Sequence, residues 1–248
     1  MVAGKSRRRP RAPRKGDETS ARERIRDAAE QVFATHGYEG ASMRLIAEKA
    51  GVAQALLHYH FRNKATLHAA VFERRSSTIN ERRTRLLDAL FSAGTSPTLE
   101  DVLDILFLPV ATLREQHRGD YDSFQQMVTA VSVGSDRRSR ELMARYYDPI
   151  ARRFIAAFRK AVPGLDERSA IWCYLFALGA RMQAQSRSNR AARLARAQRP
   201  DSTAVVSGFL ARFVAAGIRQ AANRRLEEPG PAAIARRRGK AMLVAGGS

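Results

Sequence analysis

Apolar residues recur at helical spacing along most of the chain, and the points where the recurrence stops mark its elements. Ile25, Ala28, Ala29, Val32 and Phe33 share one face of a first helix, which opens at a Ser20–Glu23 capping box and closes at Gly37. Ser42 is the N-cap of a second helix through Leu45, Ile46, Ala47 and Ala50, and Gly51 stops it. A third short helix begins near Gln54. Asn63 caps a long fourth one carrying Leu67, Val71, Ile79, Leu86, Leu87 and Leu90. Pro97 opens the next, with Val102, Ile105, Leu106, Leu108 and Leu113 apolar, and Pro109 is expected to kink or break it. A segment over residues 121–133 follows, then one from Leu142 to Val162 that Pro163-Gly164 ends. The last two helices are apolar on more than one face, which predicts burial on two sides. One carries Ile171, Leu175, Leu178 and Met182 beside Trp172, Phe176 and Ala180. The other carries Val205, Val206, Phe209, Leu210, Phe213, Val214 and Ile218. With few β-branched residues and many Ala, Arg and Leu, the expected fold class is all-α.

The second and third helices are the informative pair. Two short helices that cross steeply need a small residue at their approach, which Ala47 supplies. The turn between them needs a residue tolerant of positive φ, which Gly51 supplies. Ile46, Val52 and Leu57 are spaced to plug the angle, so the pattern is that of a helix-turn-helix.

The string IRDAAEQVFATHGYEGASMRLIAEKAGVAQALLHYHFRNKATLHAAVF resembles the DNA-binding head of the TetR family of bacterial transcriptional regulators. Phe33, Gly37, Tyr38, Ser42, Ile46, Ala47, Ala50, Gly51, Val52, Leu57, His60, Phe61 and Lys64 match that family's pattern. The sequence departs from it at His58, where Tyr is usual, at Ala55, for Gly or Pro, and at Leu56, for Thr or Ser. The resemblance implies a TetR-like architecture: a three-helix head, then a C-terminal helical ligand-binding and dimerisation domain of nine or ten helices in all. It also implies a homodimer on a palindromic double-stranded operator. The expected division is a basic arm over 1–19, the head over 20–73, the ligand-binding and dimerisation domain over 74–226, and a basic tail over 227–248. Both ends are expected to be disordered when alone.

A recognition helix reads base edges with its first residues and touches phosphates with its flanks. Gln54 is placed to pair with adenine, and Ala55 and Leu56 to meet a thymine methyl, with Leu57 left to the core. Ser42, Met43 and Arg44 open the second helix, and Arg44 is placed for a guanine or a phosphate. His58 can donate to a phosphate. The resemblance assigns the DNA backbone to Tyr59, His60 and Lys64, the last at a helix start that suits an anion. His58 and His60 stand two apart and do not share a helix face, and Lys64 separates His60 from His68, so no metal is expected.

Charge changes the picture only in part. The chain carries 44 Lys and Arg against 24 Asp and Glu, a net +20, which points to a polyanionic partner or simply to a solvated basic surface. The segment 21–75 has nine basic and six acidic residues, and so holds only +3 of it. In the arm, Arg7, Arg8, Arg9, Arg11 and Arg14 suit either a narrow minor groove or nonspecific attraction. Arg187, Arg190, Arg193, Arg196 and Arg199 step every third residue and spiral around a helix, which reads as a solvated connector or a site for an acidic ligand.

Leu175, Leu178, Met182, Val206, Phe209, Leu210 and Phe213 are the candidates for a four-helix dimer interface. Phe107, Tyr121, Phe124, Met127, Trp172, Cys173 and Phe176 are the richest source of walls for an effector pocket, with the core as the default reading for each. The single cysteine, Cys173, excludes an intramolecular disulfide. The longest apolar run, Ile171–Ala180, is ten residues, short of the roughly 18 that span a bilayer. No apolar stretch follows the basic N-terminus, so no secretory leader is expected and the expected place is the cytoplasm, on the nucleoid. No phosphate loop, metal spacing or nucleophile motif supports an enzyme, and no cofactor is expected beyond an unidentified small-molecule effector. The expected function is a ligand-released repressor; the alternative is a nucleoid-like DNA binder with little sequence preference.

Overall fold

The computed structural model describes residues 15–94, 96–108, 121–186, 188 and 190–223, without the side chains of 15–18, 121, 122 and 203. The arm arginines Arg7, Arg8, Arg9, Arg11 and Arg14, the tail 227–248, Pro109, Arg187 and the Tyr121 side chain lie outside the described residues. Every described element is an α-helix. They are α1 Lys15–Gly40, α2 Met43–Ala50, α3 Gln54–His60, α4 Lys64–Ser92, α5 Leu99–Phe107 and α6 Tyr121–Val133, then α7 Arg137–Tyr146, α8 Asp148–Ala161, α9 Glu167–Ala184, α10 Arg190–Leu194 and α11 Thr203–Ala222.

Two boundaries differ from the sequence pattern. The helix expected to open at Ser20 runs through it from Lys15, since no Gly or Pro stands between Asp17 and His36 to stop it. Within α1 the regular helix breaks at Gly37, at φ 66° and ψ 177°, as the glycine suggested. The single segment expected from Leu142 to Val162 is two helices, α7 and α8, parted at Tyr147. Pro149 is the cause: it has no N–H for the carbonyl four residues back and its ring crowds that carbonyl, so it is tolerated only in the first turn of α8.

The described residues pack as two compact units. One takes those up to Leu86 together with Leu108 and those from 121 to Ile150, and the other takes the described residues of Leu87–Phe107 and from Ala151 to 223. In the first unit α1 packs against α2, α3 and α6, and α6 against α7. Its core runs without interruption from Ile25, Val32 and Phe33 through Ile46, Leu57, Phe61, Leu67 and Phe72 to Phe124, Met127 and Leu142. A carboxylate is sealed into this unit. Glu30 accepts from Arg75 Nε at 2.7 Å and Nη2 at 3.1 Å and from Arg74 Nη2 at 3.2 Å, with Glu30 1% and Arg75 5% exposed. Arg74 also reaches Glu23 and Asp27, at 2.9 and 2.8 Å.

In the second unit α11 packs against α9 and α5. Leu210, Ala211, Val214, Ala215 and Ile218 face inward from α11, and Ala170, Cys173, Tyr174, Ala177 and Arg181 from α9. Arg181 donates to the Leu106 carbonyl at 3.2 Å, which satisfies an orphan acceptor near the end of α5. Among the described residues, no helix is long and apolar enough to cross a membrane.

Candidate nucleic-acid interface

The α2–α3 pair is fixed by its own short-range chemistry. The Ser42 hydroxyl accepts from the Leu45 amide at 3.1 Å, so Ser42 is the N-cap of α2. Gly51 takes φ 63° and ψ 40°, and its N–H returns to the Ala47 and Glu48 carbonyls. The Val52 amide also bonds the Ala47 carbonyl, at 3.1 Å, which turns the chain directly into α3. Ile46 and Leu57 are fully buried and Ala47 nearly so, which leaves the outward faces of both helices to polar residues.

Gln54, Ala55, His58 and Tyr59 are exposed on α3 at positions one turn apart, with Tyr59 72% exposed. Leu57 is buried behind them, as expected, and Leu56 is half-buried rather than fully outward. On α2, Arg44 stands well out, with a loose i,i+4 pair to Glu48 at 3.6 Å that is worth little at the surface. Met43 is half-buried against the head core. The pattern left out two exposed cations of the head, Lys49 in the last turn of α2 and Arg62 just after α3. Their charge, close in sequence to the α2–α3 pair, was the available signal.

Two of the flank residues expected at the DNA backbone also have contacts within the head. The Lys64 ammonium donates to the Tyr38, Glu39 and Ala41 carbonyls at 2.7, 3.4 and 3.0 Å and lies 4.4 Å from the centre of the Tyr38 ring. The ammonium thus braces the α1–α2 turn by way of these carbonyls. His60 is half-buried, and its Nε2 atom is covered and without a hydrogen-bond partner.

His68 lies behind the turn, 3% exposed, with rings of Phe33, Tyr38 and Phe72 at 4.6, 5.0 and 5.0 Å. Burial, then the nearby Arg138 charge, lowers its pKa from 6.5 to about 4, with Lys64 adding slightly and Asp136 opposing. Above pH 6.5 it is neutral in both folded and unfolded chains and contributes nothing. Between 6.5 and about 4 only the unfolded chain takes the proton, so stability falls as pH falls, by about 1.4 kcal/mol per unit and about 3 kcal/mol in all. His68→Phe is expected to remove this component. Urea midpoints across that range measure it, and equal pH slopes for the two proteins would contradict it.

The pocket candidates are scattered. Phe124 and Met127 are 2% and 3% exposed in the core of the first unit, where Phe124 meets Phe72 at 5.6 Å. Phe107 and Cys173 are buried in the second unit, and burial raises the Cys173 thiol pKa. Trp172 and Phe176 are 44% and 68% exposed, on the outer face of α9. They stand there with Ile171 and Leu175, and α11 exposes Val205, Phe209 and Phe213. Leu178, Met182 and Val206 are half-buried, and Leu210 turns into its own core.

A capped helix, a left-handed glycine turn and a short second helix with an outward polar face define a helix-turn-helix DNA-binding module. The family model for bacterial regulatory proteins of the tetR family matches residues 25–71, and that for the tetracyclin repressor-like C-terminal domain matches residues 104–217. The chain belongs to the TetR family of transcriptional regulators. It is 43% identical over 72 residues to the transcriptional activator FasR of Mycolicibacterium smegmatis, covering 29% of this chain and 31% of that protein. It is 38% identical over 53 residues to the transcriptional repressor AcnR of Corynebacterium glutamicum, covering 21% and 28%. Each likeness thus spans less than a third of the relative's length. The fold is similar to a TetR-like regulator from Rhodococcus sp. RHA1, at a TM-score of 0.55 and 18% identity, covering 84% of this chain and 98% of that one.

Proposed function

We propose that the chain acts as a homodimer that binds a palindromic operator, represses transcription from it, and is released by a small-molecule effector. The observation that carries the reading is the α2–α3 pair, with Gln54, Ala55, His58 and Tyr59 outward on a buried Leu57 anchor. In this reading Gln54 pairs with an adenine edge and Ala55 meets a thymine methyl, with Leu56 lending part of its surface. Arg44, Lys49, His58, Tyr59 and Arg62 hold phosphates or a guanine, and Ser42 and Met43 set the start of α2. The dimer forms through the apolar faces of α9 and α11, whose large exposed side chains are of the kind that mark an interaction surface. Phe107 and Cys173 are the pocket candidates that this reading keeps. The protein works by binding rather than catalysis, in the cytoplasm. Of the two relatives, FasR is named a transcriptional activator and AcnR a transcriptional repressor.

A second reading, a DNA binder with little sequence preference, is favoured by the net charge of +20. Selection from a random duplex pool separates the two. The regulator is expected to enrich an inverted repeat with half-site centres about 10 base pairs, or a multiple of that, apart. A pool that stays random would favour the second reading.

A further inference from the structure

The α1–α2 turn, residues 37–42, sets where α2 and α3 stand relative to α1, and two cations hold it. Lys64 of α4 holds its carbonyls. The second is Arg138, in the first turn of α7, a helix inside the stretch matched by the C-terminal family model and yet packed in the same compact unit as the head. The Arg138 guanidinium carbon lies 3.3 Å from the centre of the Tyr38 ring, and Nη1 lies 3.3 Å from Glu39 Oε1. Its Nη2 lies 3.6 Å from Asp136, whose carboxylate is the N-cap of α7, accepting from the Ser139 amide at 3.1 Å. The side chain is 28% exposed, so the contact is partly shielded from water, where a planar cation on an aromatic face is strongest. Tyr38 also stacks on Phe33 at 5.9 Å, which ties the gripped ring to the α1 core.

We infer that Arg138 is a positioning residue for operator binding, supplied to the DNA-binding head by the C-terminal domain. A guanidinium anchored to the cap of α7 holds Tyr38 and Glu39, so the place of the first turn of α7 fixes the place of the recognition helices. The inference rests on the operator-binding reading and adds to it the contact through which α7 acts on the head.

Arg138→Ala, Arg138→Lys and the control Arg140→Ala are titrated against the selected operator and against random DNA at one salt concentration. Arg140 is an exposed cation on the same helix, so it reports the loss of one charge alone. The expected result is about a tenfold loss of operator affinity for Arg138→Ala, with random-DNA affinity matching that of Arg140→Ala. Arg138→Lys keeps a cation at the ring without the planar bridge to Glu39, and an intermediate loss is expected. If the Ala variant fails to fold, the Lys variant carries the test. Operator affinity unchanged from wild type, or equal losses for Arg138→Ala and Arg140→Ala on both DNAs, would overturn the inference. A wild type without operator preference overturns the reading beneath it as well.

Discussion

Replacing Phe209 and Phe213 together with glutamate is expected to leave a folded monomer that binds the operator at least about a hundredfold more weakly than wild type. The two rings are 64% and 65% exposed and stack on each other at 6.5 Å, so they support little of their own subunit's core. They stand on α11, which packs against α9 with Ile171, Trp172, Leu175 and Phe176 also exposed. In a two-fold dimer each substitution appears twice across the axis, and four buried carboxylates facing apolar rings cannot pair. A monomer holds one half-site, and the loss of the second tethered contact alone is worth about two orders of magnitude or more. Sedimentation gives the oligomeric state, circular dichroism the helix content and a titration the affinity. A double variant that remains dimeric would place the interface elsewhere.

The second large effect is on the stability of the head. Glu30→Ala is expected to destabilise it by about 3–5 kcal/mol, because Arg75, 5% exposed, then loses both carboxylate hydrogen bonds in a site that water does not reach. Arg74 suffers less, since Glu23 and Asp27 still hold it. Pairing Glu30→Met with Arg75→Met is expected to recover much of the loss, since an apolar pair of similar volume needs no desolvated charge. Urea unfolding of the single and double variants measures both. A loss below about 1 kcal/mol for Glu30→Ala would mean that the cluster is solvated.

Most of the head was legible in the sequence because its determinants are local. A cap bonds three residues on, a left-handed glycine acts on its neighbours, and Ile46 and Leu57 plug an angle only a few residues wide. What escaped is what distance along the chain conceals. Lys64 carries the charge and position of a phosphate ligand, and only the fold shows its ammonium on carbonyls 23 to 26 residues earlier. Glu30 follows Ala28 and Ala29 on α1, and only the fold reveals Arg75 opposite it. Arg138 and Tyr38 are about a hundred residues apart, with no shared motif to join them. The paired apolar stripes of α9 and α11 were visible, yet a stripe alone does not say whether it faces its own core. Leu210 does, and Phe209 beside it does not. Pro149 was in plain sight, and weighing its missing N–H against the apolar spacing would have split α7 from α8.

The proposed function stands on the α2–α3 face reading sequence. Its most direct test is an equilibrium titration of the full chain against the selected inverted repeat and a scrambled duplex of equal length and composition, at matched salt. Affinity for the repeat is expected to be at least about a thousandfold above that for the scrambled duplex, with a shared steep salt dependence from the phosphate contacts. Equal affinities for the two duplexes at every salt concentration would contradict it.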